Sequence, residues 1–268
     1  DITLFVQRDG YGIREHTYAF DKNGFSAADI NVLARHLFQG RKIKAWAYQQ
    51  SPDSLIWIAM EDGGVVGVTY FHEHKVVAYH RHELGGDGKV ESVCSIPGDS
   101  YDEIWFLVRR EINGQTVRYI EKLDPPFDAE TSHTAFFVDC GLSYEGEAET
   151  VMRGLDHLEG ETVQVLADGA THPDCMVENG RITLDAPAKI VHVGLPFVSE
   201  LKTLPIDFPT PNGTAQGRTK KIINTDIRLY RTLGLWAGED ETRLDEELFR
   251  AVSDEVSEPA SLFTGNWE

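Results

Sequence analysis

Cysteine is scarce in this chain. Its 268 residues hold three, Cys94, Cys140 and Cys175, too far apart for a Cys-x-x-Cys pair or a zinc spacing. An odd number so spaced reads as reduced, structural thiols. Long apolar runs are missing as well. None approaches the roughly 18 residues that a membrane-spanning helix needs, so no membrane insertion is expected. Basic residues are few: 25 Lys and Arg stand against 44 Asp and Glu, a formal charge of −19. That much acid repels polyanions and excludes DNA or RNA binding by phosphate neutralisation for the chain as a whole. The sequence also lacks Gly-x-Ser-x-Gly, His-Glu-x-x-His and phosphate-loop patterns. No catalytic residue, metal ligand or cofactor is therefore expected. The opening, DITLFVQRDG, carries no signal-peptide pattern; with no initiator Met, it reads as the start of a fragment or a processed product.

What the chain has is β pattern. Residues 3–20, 54–72 and 102–123 each read as two strands around a Gly-containing turn, with Asp62-Gly63-Gly64 and Asn113-Gly114 in the latter two. Their apolar openings, Leu4, Ile56 and Ile104, lie 52 and 48 residues apart. The second unit extends to four strands, 54–60, 65–72, 76–82 and 89–96. A period of about 40–50 residues with several short strands per unit is the pattern of a β-propeller blade. Three units do not close a ring of roughly four to eight blades. Either further blades lie outside the chain or the strands form a sandwich. Trp57 and Trp105 each follow an Ile at the repeat spacing and are the core candidates of successive units. One helix is expected inside the first unit, over 26–39, from Ser26 as cap, Gly40 just beyond, and a face of Ile30, Leu33, Ala34, Leu37 and Phe38.

The expected fold is thus mainly β. Propeller-like blades fill residues 1–125, and a Pro-containing linker follows over 124–135. A small acidic β-barrel or sandwich module occupies 136–195, and a C-terminal strand and loop region 196–268. The last region contains RTKKIINTDIRLYRT. Residues 221–232 alternate as one long strand, led by Arg218, Lys220 and Lys221 in an otherwise acidic chain. Its polar face carries Arg228 and Tyr230, side chains that interfaces favour. These five residues are the subunit-interface candidates, with the acidic module of a neighbour as the complementary surface.

Two clusters invite a chemical reading. Four of the ten histidines form two His-x-His pairs, His72 with His74 and His80 with His82. On a hairpin turning near residues 73–75, His82 would lie roughly 20 Å or more from the turn, too far for all four to share a metal whose bonds are about 2.1 Å long, which leaves a two-His site open. Imidazoles on a polar strand face are the preferred reading. Glu145, Glu147 and Glu149 have period two, and a solvated, self-repelling face is favoured over acid–base chemistry.

The run AYQQSPDSLIWIAMEDGGVVGVTYFHEHKVVAYHRHEL, then VESVCSIPG and DEIWFLVRREINGQTVRYIEKL, resembles the tail nozzle (tail tubular) proteins of short-tailed bacteriophages and related prophages. The later runs GLDHLEGETVQVLADG and ITLDAPAKIVHVGLPFVSELKTLPID continue the likeness, which covers most of residues 1–232. The module around them is also similar in shape to the first catalytic cysteine half-domain of ubiquitin-activating enzymes, without ubiquitin chemistry. The resemblance implies a virion component in the tail, present in the host cytoplasm during assembly. It implies a homo-oligomeric ring, usually six-fold, below the portal and head-to-tail adaptor, through which DNA passes without specific binding. It implies no catalytic residues. The alternative from another class is a host-surface carbohydrate-binding or hydrolytic β-protein.

Overall fold

Left-handed residues close many of the hairpins. Asn113-Gly114 (φ 49° and 71°) and Asp168-Gly169 (48° and 80°) are two-residue turns whose twist matches the strands they join, and Asn179-Gly180 (54° and 65°) closes the isolated Glu178–Arg181 bridge. The computed structural model describes residues 2–210, 213–247, 249 and 259–267. It is mainly β, in separate antiparallel sheets with no closed barrel among the described residues.

Three meander sheets come first. Sheet 1 is β1 (Ile2–Val6), β2 (Ile13–Ala19) and β3 (Gly24–Asp29). Sheet 2 is β4 (Ile43–Gln49), β5 (Leu55–Met60), β6 (Val65–Phe71) and β7 (Val76–His82). Sheet 3 is β8 (Lys89–Pro97), β9 (Asp102–Ile112) and β10 (Gln115–Lys122). Sheet 4 is built from β11 (Asp139–Arg153), β12 (Thr162–Ala167), β13 (Ala170–Met176) and β14 (Arg181–Leu195), in the order β11-β14-β12-β13. Two-stranded pairs follow. β15 (Pro209–Thr210) pairs with β16 (Gly213–Thr214), β17 (Ile227–Thr232) with β20 (Phe263–Trp267), and β18 (Leu235–Asp240) with β19 (Arg243–Glu247).

The sheets stack by burying alternate faces. Ile56, Ile58, Met60, Val66 and Val68 of sheet 2 pack against Leu4, Ile13 and Phe38 on the sheet 1 side. Trp57, Ala59 and Val65 point the other way, onto Val90, Val93, Ile104, Phe106 and Val108 of sheet 3. Sheet 2 is therefore covered on both faces, which explains the unbroken apolar run LIWIAM. Ile112, Val117 and Tyr119, at the far end of sheet 3, pack on the core of sheet 4.

Sheets 1 and 2 repeat each other at the level of backbone. Ile13 and Val65 open equivalent strands, Phe20 and His72 equivalent 3-10 turns, and Gly24 and Val76 the strands after them, each 52 residues apart. Both turns end on a left-handed residue, Asn23 (φ 47°) and Lys75 (φ 55°). The first strands are out by one residue. Leu4 pairs with Glu15, and Trp57 with Gly67, which lies 52 beyond Glu15. Leu4 thus matches Trp57, not Ile56, because the β1–β2 turn is one residue longer than the β5–β6 turn.

Three expectations are corrected. There is no helix over 26–39: Gly24–Asp29 is strand, and only Arg35–Leu37 form a 3-10 turn. Pairing of Ser26, Ala27 and Ala28 with Thr17, His16 and Glu15 outcompetes the helical pattern. The buried Asn31 then fixes the bend by accepting the Ile13 N–H at 2.6 Å. The periodicity did report burial, since Ala34 and Phe38 are in the core, but Leu33 is exposed. Next, residues 89–96 do not complete sheet 2. β4 supplies its fourth strand, and β8 opens sheet 3, tied back by Val90 N–H to Gly63 O at 2.9 Å. Finally, Trp57 is buried but Trp105 is only half-buried. Trp105 stands on the face of sheet 3 opposite Ile104 and Phe106, beside exposed Cys94 and Ile96, with no described sheet stacked over it.

One buried ion pair joins the sheets. The Arg110 side chain, fully buried, donates to Glu121 Oε1 at 2.6 Å and Oε2 at 2.7 Å, and its third contact is the Gly85 carbonyl. Gly85 N–H in turn donates to Asp139 Oδ2 at the start of β11. A side chain on Gly85 would collide with the Pro196 carbonyl, 2.3 Å from its Cβ. The sheet 2–sheet 3 connection, sheet 3 and sheet 4 therefore meet at one polar knot, and burial there pushes the Cys140 thiol up to about 12.

Candidate functional site: an exposed strand with a basic lead

Residues 218–226 are exposed and lie in no strand; only 227–232 of the expected long strand are paired, as β17 on β20. β17 is amphipathic. Ile227 and Leu229 are half-buried, while Arg228 and Tyr230 point to solvent. The Arg231 guanidinium lies 5.0 Å from the centroid of the Tyr230 ring and also pairs with Asp128. Behind the strand, Phe249, Phe263 and Trp267 form an aromatic cluster with centroids 4.5 to 5.4 Å apart. Lys220 reaches the Ile206 carbonyl. Among the described residues Arg218, Lys220, Lys221 and Arg228 have no carboxylate partner within ion-pair distance. They are uncompensated cations on a chain of net charge −19, available to an acidic surface.

The histidine pairs are separate. His72 sits in a 3-10 turn, 3.4 Å from Glu15 Oε2, which also accepts the Tyr70 hydroxyl at 2.7 Å. His80 and His82 share one face of β7, with His80 Nδ1 2.6 Å from His82 Nε2 and both rings against Trp57. Gly67 makes this possible: a Cβ there would fall 1.9 Å from the His80 ring. Among the described residues no group of three or more His, Cys, Asp or Glu is arranged to hold a metal.

Burial holds both imidazoles below their ordinary value, His82 to about 4, with His80 adding repulsion. The unfolded chain then takes up protons that the folded one refuses. Stability is full above about pH 6.5 and falls as pH drops toward 4, with His82 contributing at most roughly 3 kcal/mol to the loss. Urea midpoints measured across that range should fall with acid, and His82→Gln should flatten the slope. An equal slope in that variant would remove the pair as the cause.

Sequence patterning missed a third cluster. Cys175 Sγ lies 3.6 Å from His172 Nδ1, and His172 Nε2 lies 3.7 Å from Asp185 Oδ2. The arrangement has the composition of a nucleophile–base–acid set, foreshadowed only by the His-x-x-Cys spacing of HPDC. Its protons are in the wrong place for that chemistry. Nδ1 lies 2.7 Å from the Pro173 carbonyl and so carries the hydrogen, while Nε2 accepts the Asp185 N–H at 3.0 Å. The imidazole has no free lone pair for the thiol proton. Burial and the nearby Asp185 and Asp174 push the thiol pKa up, away from thiolate. Glu145, Glu147 and Glu149 are exposed, and the β11–β14 register shifts between Glu145 and Glu149, so they do not share one regular strand face.

No protein-family model matches the chain, and no curated protein matches it. The fold and site define a mainly β protein of stacked antiparallel sheets with an exposed basic segment leading into β17.

Proposed function

We propose that this chain is a structural component of a bacteriophage virion, a tail nozzle subunit that forms part of the DNA exit channel. The observation that carries the reading is the succession of repeat-related meander sheets stacked face to face, as propeller blades stack, followed by a compact β-module. The order agrees with the nozzle resemblance of the sequence. In this reading the chain assembles as a homo-oligomeric ring, six-fold by that resemblance, next to other tail proteins and the head-to-tail adaptor. The net acidity suits a conduit, because each cation bound to phosphate would add affinity that slows DNA. No catalytic residue, metal or cofactor is assigned.

Head-to-tail rings need two different, complementary surfaces on each subunit. The uncompensated cations Arg218, Lys220 and Lys221 supply one, and the acidic module 136–195 of a neighbour the other. Reversing Lys220 and Lys221 to glutamate should weaken assembly about tenfold, mainly through slower encounter. Salt at about 0.5 M should act in the same direction. Sedimentation velocity and thermal melting together check this, since folding should be unaffected at these exposed positions. Unchanged assembly in the reversed variant would remove this strand from the interface.

The carbohydrate-binding alternative is favoured by one observation. Tyr18, Phe20 and Phe25 are exposed and cluster at the β2–β3 end of sheet 1, with half-buried His16 stacked on Phe25 at 4.8 Å. Binding of bacterial surface polysaccharide that is lost in Tyr18→Ala would promote it over the nozzle.

A further inference from the structure

Only one of the two His-x-His pairs brings its rings together. His72 and His74 sit in a 3-10 turn and go to different neighbours, His72 to Tyr70 and Glu15, His74 to Phe71. His80 and His82 stand on one face of β7, as residues two apart on a strand do. His80 Nδ1 lies 2.6 Å from His82 Nε2, with ring centroids 4.8 Å apart. The ladder makes the room for this. Gly67 of β6 is opposite His80, and Trp57 of β5 is opposite Gly67. The His80 ring takes the space that a side chain on Gly67 would fill. From there it reaches the Trp57 indole at 5.8 Å between centroids, and His82 reaches the same indole at 5.1 Å.

Two imidazole nitrogens that close share either a proton or a metal ion. Each nitrogen of a neutral ring carries a hydrogen or a lone pair, so the contact is a hydrogen bond with one ring donating. A metal with bonds of about 2.1 Å to both needs the nitrogens roughly 3.0 Å apart at a right angle, or roughly 3.4 Å at the tetrahedral angle. An opening of roughly 0.4–0.8 Å therefore turns the hydrogen bond into a chelate. The donor ring moves its proton to its other nitrogen through solvent, and the pair stays neutral. Burial already holds both rings in the neutral form, so the ion need not displace a proton from a charged ring. β7 is the edge strand of sheet 2, and both rings are half-buried. The remaining coordination positions therefore open to water. A net charge of −19 favours a cation there.

We propose that His80 and His82 form a two-imidazole site for one borderline divalent metal ion, with water in its other positions. Imidazole suits copper, nickel and zinc, and affinity among these peaks at copper. The ion would lock both rings over Trp57, whose indole lies between sheets 2 and 3, and so pin the outer strand of sheet 2 to the stack. The site is internal to one subunit and holds whether or not the chain forms a ring.

The test adds copper(II) to the full chain after treatment with a chelator. The tightest site should take one ion per chain and quench part of the tryptophan emission, since Trp57 lies against both rings. Electron paramagnetic resonance of the one-to-one complex should show coupling to two imidazole nitrogens. His80→Gln and His82→Gln should each weaken that binding about tenfold or more, because a single imidazole is left to hold the ion. The double change His72→Gln and His74→Gln should leave it at wild-type strength. Circular dichroism checks that the variants fold, and the wild-type spectrum decides alone where one does not. Wild-type affinity in either the His80 or the His82 variant, or a copper spectrum with fewer than two imidazole nitrogens, overturns the site.

Discussion

Replacing Glu121 with leucine should destabilise the fold by about 3–5 kcal/mol, because it strands a buried guanidinium. Arg110 has no exposed side-chain surface, and Glu121 takes two of its donors. Its remaining partner, the Gly85 carbonyl, is neutral. Taking the cation away as well, in the double change Arg110→Met and Glu121→Leu, should restore most of the loss, since the desolvation cost goes with the charge. Because Gly85 also holds Asp139, the single variant should loosen the sheet 3–sheet 4 joint first. Urea denaturation of the three proteins checks this. A single variant within about 1 kcal/mol of wild type would mean that water reaches Arg110.

Trp57→Ala should cost about 3–5 kcal/mol, and Trp105→Ala clearly less than half of that. Trp57 is 4% exposed, sits between sheets 2 and 3, contacts Phe106 at 6.0 Å between centroids, and donates its Nε1–H to Gln49 Oε1 at 2.9 Å. Removing it opens a cavity and leaves the Gln49 acceptor without its donor. Trp105 occupies the matching place one sheet later, but its partners are surface groups, Glu103 at 3.2 Å and Lys122 at 5.8 Å from its ring centroid. Thermal or urea unfolding of both variants in the assembled and dissociated protein adds a further reading. If assembly covers the outer face of sheet 3, the Trp105→Ala cost rises in the oligomer. Equal costs in the dissociated protein would contradict the stacking of the sheets.

The contrast between these two tryptophans marks what sequence patterning can and cannot reach. Turns were legible, because Asn-Gly and Asp-Gly encode left-handed backbone locally. The repeat was legible within a residue for sheets 1 and 2, where strand and turn lengths recur, but not for sheet 3, whose β9 is longer and whose turn to β10 is shorter. Burial of Trp57 and half-exposure of Trp105 were not, since both sit in an Ile-Trp pair within an apolar strand and differ in whether another described sheet stacks on them. The lost helix over 26–39 has a similar cause. Its apolar spacing is satisfied by burying Ala34 and Phe38 around a bend, and the long-range pairing of β3 with β2 decides the backbone. At the candidate site, the basic lead and the exposed Arg228 and Tyr230 were legible as composition. The end of pairing at Ile227 was not, because alternation encodes a willingness to pair and not the presence of a partner. The His172–Cys175–Asp185 cluster was hidden because Asp185 arrives from a different strand.

Electron microscopy of the purified protein tests the nozzle reading most directly. The account predicts closed rings with a central channel wide enough for duplex DNA, their outer mass divided into a stacked-sheet lobe and a smaller β-module. Dispersed monomers with no ring at any concentration, together with binding to bacterial surface polysaccharide, would contradict it.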